Sequence, residues 1–177
     1  MKVGITGNIG AGKSAVEEIL TARGFKVLDA DKAAHEVLAK ELPGIQRETL
    51  SKIAFSNPAF RKKLEALVHP GVRKIIEAGD AEFVAVPLLF EAEFQDLFDK
   101  IILVTAPENT RLERILQRGY TVEHAKNRMN SQLPQEQKIP LADFVIKNNG
   151  TLAELEAAVD AILSWLAAVN GHADEAD

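Results

Sequence analysis

The sequence predicts an α/β fold with a five-stranded parallel β-sheet, on three observations. Short, almost wholly apolar runs recur along the chain, amphipathic helical stretches separate them, and a glycine-rich turn follows the first run. The 177 residues, 46% hydrophobic and 27% charged, suit one globular domain with a small insertion rather than two large domains. Residues 2–6 (KVGIT) form the first expected strand, ended by Gly7, and residues 25–28 (FKVL) the second, ended by Asp29. Between them Val16, Ile19 and Leu20 lie on one helix face, with Gly24 at the C-terminal cap. Two parallel strands joined by a helix make a right-handed βαβ unit.

Further strands are expected at 83–86, 101–105 and 144–146, apolar enough to be covered on both faces. Asn57-Pro58 reads as an N-cap with proline at the first helical position, opening a helix whose apolar face is Phe60, Leu64, Leu67 and Val68. His69-Pro70 reads as its end. Pro107 opens another helix, with Leu112, Ile115 and Leu116 inside and Gly119 after it. Thr151-x-x-Glu154 is a capping box before a helix bearing Leu155, Val159, Ile162, Leu163, Leu166 and Val169. The last seven residues, 171–177, read as a disordered acidic tail.

Composition excludes several classes of function. With 21 Lys+Arg against 26 Asp+Glu the formal charge is −5, so broad binding to a nucleic-acid backbone is not expected and any anion site must be local. No cysteine is present, which removes disulfides, thiolate metal sites and a thiol nucleophile. The longest apolar run, 84–90, is broken by Pro87 and is far too short to span a membrane. The first residues lead straight into a glycine motif and lack the apolar region of a secretion signal, so a cytoplasmic location without membrane partners is expected.

The strongest motif is Gly7-Asn8-Ile9-Gly10-Ala11-Gly12-Lys13-Ser14, which fits GxxxxGK[ST] between an expected strand and an expected helix. In such a phosphate loop the backbone N–H groups and the helix N-terminus cradle phosphates, Lys13 reaches the β- and γ-phosphates, and the Ser14 hydroxyl ligates Mg²⁺. A chance glycine turn rarely carries all these parts in that context. Asp29 and Asp31 follow the second strand, at the sheet edge where open α/β folds bind ligands. Asp31 there suits a general base for a hydroxyl acceptor, and equally suits a cap on a helix beginning at Lys32.

From Glu108 to Asn130 the chain is locally basic through Arg111, Arg114, Arg118, Lys126 and Arg128. Arg114 and Arg118 share a helix face beside Gly119 and are placed to meet transferring-phosphate charge on a mobile lid, although such arginines often mark only a solvated face. The third strand has no carboxylate of its own, so Glu91 or the Asp29/Asp31 pair is expected to serve the metal. Asn148-Asn149-Gly150 after the last strand is either a turn or part of a base-recognition edge.

Taken in order, GITGNIGAGKS, LDADKAAHEVL, LEALVHP, VPLLFE, ERILQR and ADFVIKNNGT resemble the dephospho-coenzyme A kinases over nearly the whole chain. The resemblance implies a P-loop NTPase fold, a three-layer α/β/α kinase core over 1–31, 79–110 and 133–170. It also implies a helical substrate-binding region at 32–78 and a lid at 111–132. The implied reaction is ATP-dependent, Mg²⁺-assisted phosphorylation of the ribose 3′-hydroxyl of dephospho-coenzyme A, the last step of coenzyme A synthesis. Gly10, Ala11, Gly12, Lys13, Ser14 and Ala15 then match the ATP loop, Asp31 the base, Arg114 and Arg118 the lid, and Asn148 the adenine side. His69, Pro87, Leu88, Leu89 and Glu91 match the substrate side.

The chain departs from that family pattern in four places. Residues 39–55 are shorter than usual, Ala15 replaces a common hydroxyl residue, Thr110 or Arg111 stands at a usual Gln, and Lys147 at a usual Asp. A kinase for another small metabolite or nucleoside, or a nucleotide-switched binding protein, are the competing readings. No Asn-Lys-x-Asp guanine motif supports the latter.

Overall fold

The structure, a computed structural model, describes residues 1–173. In chain order the elements are β1 (Val3–Gly7), α1 (Lys13–Ala22), β2 (Val27–Asp29), α2 (Ala30–Glu41), α3 (Arg47–Ser56), α4 (Pro58–Ala78) and β3 (Phe83–Ala85). They continue as β4 (Lys100–Thr105), α5 (Glu108–Gln117), α6 (Val122–Asn130), α7 (Gln135–Lys138), β5 (Phe144–Lys147) and α8 (Leu152–Ala173). Short 3₁₀ turns lie at Gln95–Leu97 and Ile139–Leu141. Two compact units result, one of Met1–Leu28 with Ala81–Asp177 and one of Asp29–Asp80.

In the first unit the sheet has strand order β2-β3-β1-β4-β5, with β1 parallel to both β3 and β4, and β4 parallel to β5. Side chains alternate across a strand, so β1 serves two faces. Val3 and Ile5 enter a cluster with Val16, Ile19 and Leu20 of α1 and Leu155, Val159 and Leu166 of α8. Gly4 faces the other way, where a Cβ would lie 2.9 Å from both Leu89 and Phe98; the strand needs glycine there because those side chains press onto its backbone. Both faces of β1 are thus covered, which is why its sequence is apolar without alternation.

Several expected boundaries shift. β2 starts at Val27, while Phe25 stays outside the strand and packs its ring edge against Phe83, centroids 5.2 Å apart. β3 ends at Ala85, although Val86 N still donates to Ile5 O. The capping box forms as expected, Thr151 N donating to Glu154 Oε2 and Glu154 N to Thr151 Oγ1. These bonds hold the Glu154 carboxyl below its ordinary value. The apolar face of α8 closes at Leu166, since Val169 is 37% exposed. The helix itself runs on to Ala173, three residues into the stretch expected to be a tail; residues 174–177 lie outside the described residues.

The second unit is helical. Asn57 caps α4 by accepting a hydrogen bond from Phe60 N, with Pro58 at the first helical position. However, α4 does not stop at His69-Pro70: Pro70 sits inside it and the helix continues to Ala78. A proline removes one helical donor and leaves the Ala66 carbonyl without it, a cost of about 3 kcal/mol. Burial on both sides of the proline outweighs that cost, because Val68, Val72 and Ile76 form one stripe and α2 presents Ala33 and Val37. Gly71 lets the two helices close, since a Cβ there would lie 2.7 Å from Val37 Cγ1. Gly71→Leu is therefore expected to destabilise the protein by about 1–3 kcal/mol through overpacking, read by chemical denaturation.

Candidate active site

The phosphate loop leaves β1 at Gly7 and enters α1 at Lys13 through two left-handed glycines, Gly10 (φ 79°) and Gly12 (φ 97°). Close approach explains both. A Cβ on Gly10 would sit 2.6 Å from the Arg111 carbonyl oxygen, and one on Gly12 would collide with the Asn148 amide. Ala11 N donates to Asn8 O at 2.9 Å, tightening the turn. Ser14, in the first turn of α1, is exposed.

Three segments distant in sequence hold this loop. Arg114 of α5 donates from Nη1 to Gly10 O (3.1 Å) and Ala11 O (3.2 Å), and from Nη2 to Asn148 O (3.0 Å). Asn148, just past β5, donates from Nδ2 to Ala11 O at 2.9 Å and is anchored by its own N–H to Thr105 O. Gln132 Oε1 accepts from Ile9 N at 2.8 Å, while Asn8 Nδ2 donates to Leu133 O. Arg114 and Asn148 thus meet at the loop, whereas Arg118 is the exposed residue capping α5. An open polar cavity of about 370 Å³ beside the loop is lined by Lys147, Asn148, Asn149, Gly150 and Thr151.

Arg111 is only 8% exposed, and its Nε and Nη1 are buried with no hydrogen-bond partner among the described residues. Burial pushes its guanidinium below the ordinary value, opposed by Glu108 and Glu136.

The 87–91 segment divides its roles. Leu89 is fully buried over Gly4, Leu88 is exposed, and Pro87 O accepts from Thr6 Oγ1 at 3.4 Å. Glu91 Oε1 lies 2.7 Å from Nζ of Lys138, whose side chain is wholly buried, and also accepts from Leu133 N at 3.1 Å. Gln135, one turn earlier, spans the end of β4 by donating to Ala106 O and accepting from Ala106 N, both at 3.0 Å. Sequence reading passes over Gln132, Gln135 and Lys138 because polar residues in a locally charged stretch read as solvated, and their partners are far away in the chain.

Asp31 and His69 belong to the helical unit. Asp29 is the cap of α2, accepting from Asp31 N at 2.9 Å and Lys32 N at 3.4 Å, and the helix begins at Ala30. The capping role is therefore taken by Asp29, and Asp31 stands exposed in the first turn. His69 adjoins a largely apolar cavity of about 260 Å³ with His35, Leu38, Leu50, Leu64 and Val68. Burial lowers its pKa from the ordinary value, Glu65 opposing the shift and Arg73 adding to it.

The model of the dephospho-CoA kinase family matches residues 1–46 and 43–154. The chain belongs to the dephospho-CoA kinase family. It is 36% identical to the dephospho-CoA kinase of Frankia casuarinae over 185 aligned positions, covering 90% of this chain and 81% of that one. It is 35% identical to that of Staphylococcus haemolyticus, covering 92% and 94%. The solved dephospho-CoA kinase of Campylobacter jejuni superposes with a TM-score of 0.71 at 32% identity, covering 96% of this chain and 100% of that chain. The fold is accordingly that of the P-loop kinases. The first alignment exceeds the 177 residues present, so that relative carries residues without a counterpart here. The family match breaks at 43–46, within the stretch that reads as short.

Lys138→Met should cost about 3–5 kcal/mol in denaturant unfolding, because Glu91 is left charged and partly buried without its partner. Pairing it with Glu91→Gln should recover much of that loss, a coupling that the double-mutant cycle measures.

Proposed function

We propose that the protein transfers the γ-phosphoryl group of ATP to the ribose 3′-hydroxyl of dephospho-CoA, giving CoA and ADP, the last step of coenzyme A synthesis. The observation that carries the reading is the phosphate loop with its two left-handed glycines, Lys13 and Ser14, in a chain of this family. In the reaction the acceptor oxygen forms the new P–O bond, the β–γ bridging oxygen leaves with ADP, and the acceptor proton passes to a base. Asp31 is the base in this reading: it is an exposed carboxylate relieved of capping by Asp29, two residues beyond β2.

The remaining roles follow from chemistry already described. Lys13 meets the β- and γ-phosphates, the loop from Gly10 to Ala15 cradles them through the amides not held by Asn8 O and Gly12 O, and Arg114 has guanidinium donors left after its carbonyl contacts. Arg118 lies on the exposed end of α5, where a lid over 111–132 would bring it to the transferring group. In this reading the cavity beside Asn148 takes the adenine, and His69, Pro87, Leu88 and Glu91 serve acceptor binding, with Leu89 supporting its own segment from the core. The helical region at 32–78 receives the acceptor.

Mg²⁺ fits the donor set. Ser14 offers an exposed hydroxyl oxygen, a hard ligand, and no cluster of three acidic or histidine side chains for a metal is present among the described residues. Such a site suits an ion held chiefly by nucleotide phosphates and water, as Mg²⁺ is. Bound there, it neutralises charge on the β- and γ-phosphates.

Purified protein with saturating Mg-ATP is expected to convert dephospho-CoA to CoA with one ADP per product; no CoA formed under those conditions would overturn the reading. If an acceptor panel gives faster turnover with another nucleoside or metabolite, the shortened stretch has changed the acceptor. Asp31→Asn is expected to lower kcat by about 10²–10⁴-fold while ATP still binds, measured by turnover and by calorimetry. Turnover retained in that variant removes Asp31 as the base.

A further inference from the structure

Lys13 is the one residue of the loop whose chemistry is fixed by its charge, and it is already paired. Its Nζ lies 2.6 Å from Oε1 of Glu17, with the two side chains 16% and 20% exposed. Glu17 is one helical turn further along α1, and side chains in a helix lean back toward its N-terminus. The Glu17 carboxylate is thereby brought to the end of the helix that attracts anions. No other acid lies in that first turn.

This order of charges is the less favourable one for a helix. Acid before base along the chain suits the helix dipole, and here the base comes first. A lysine at a helix N-terminus gains from any anion within reach, whether a phosphate or a carboxylate. Glu17 supplies one from within the same helix.

We propose that Glu17 is the resident anion of Lys13 and competes with the phosphates for its ammonium, so that Glu17 sets the affinity for the nucleotide. An ammonium has three donors, and sharing them between Glu17 and a phosphate still leaves two anions facing across one cation. Competition and like-charge repulsion act in the same direction. Both weaken nucleotide binding. The proposal rests on the nucleotide half of the phosphoryl-transfer reading and not on the identity of the acceptor.

Calorimetric titration of the full chain with MgADP tests it, because no acceptor or turnover is needed. Glu17→Gln keeps the shape and removes the charge, and is expected to lower Kd by about two- to fivefold, the range of a partly exposed ion pair. Glu18→Gln makes the same charge change at the neighbouring exposed position, where a smaller change in Kd is expected. In turnover, KM for ATP should fall in Glu17→Gln while KM for dephospho-CoA stays; a general disturbance of the fold would move both. Binding by Glu17→Gln that is weaker than wild type, or no tighter than Glu18→Gln, overturns the proposal. A wild type that binds MgADP but forms no CoA would instead overturn the acceptor reading and leave this one standing.

Discussion

The structure of the first unit turns on the tight approach of other chain segments to the phosphate loop. Gly10 and Gly12 are glycines for two reasons at once, a left-handed backbone and a neighbour that leaves no space for a Cβ. Each neighbour comes from a different part of the sheet, Arg111 from the helix after β4 and Asn148 from the end of β5. The strand order β2-β3-β1-β4-β5 makes this possible, because β4 lies beside β1 and β5 beside β4. A side chain at either glycine would have to move backbone or the amide of Asn148, so the loop and the β4–β5 edge form one packed body.

Much of the fold was legible because its signals are local. The five strands are apolar runs bounded by glycine, aspartate or proline, and the capping residues at Asn57 and Thr151 work as their sequence neighbourhoods imply. Local rules failed where a distant contact outweighed them. Pro70 reads as a stop, yet Val72 and Ile76 keep the helix buried beyond it, where Gly71 is the contact point for Val37. Asp31 reads as a cap only while the helix start is placed at Lys32; a start at Ala30 hands that task to Asp29.

The site was legible in its charges and not in its supports. Lys13, Ser14, Arg114 and Asn148 stand in motifs, whereas Gln132, Gln135 and Lys138 stand in a charged stretch with no period to single them out. Their partners are Glu91, Ala106 and Ile9, all far away in sequence. A buried lysine is a poor source of stability in itself, since desolvation consumes most of what its partner returns. What the Lys138–Glu91 pair does supply is a fixed position for Leu133 N, and through Leu133 O and Gln132 for Asn8 and Ile9.

The pattern of donors and acceptors on the loop shows what that support is for. Arg114 and Asn148 both donate to loop carbonyls, those of Gly10 and Ala11. Turning carbonyls toward fixed donors turns the intervening amides the other way, and amides are what an anion requires. Two loop amides are already taken, that of Ile9 by Gln132 and that of Ala11 by Asn8 O, both ahead of the residues that lead into α1. Cationic side chains divide in a related way: Arg114 gives three donor contacts to the carbonyls of Gly10, Ala11 and Asn148, and Lys13 meets the carboxylate of Glu17. The overall −5 of the chain is no obstacle to local positive charge, because Lys13 at the start of α1 and Arg114 of α5 both stand at the loop. Glu17 is the one carboxylate among the described contacts of that lysine, so any anion that Lys13 meets shares the ammonium with it.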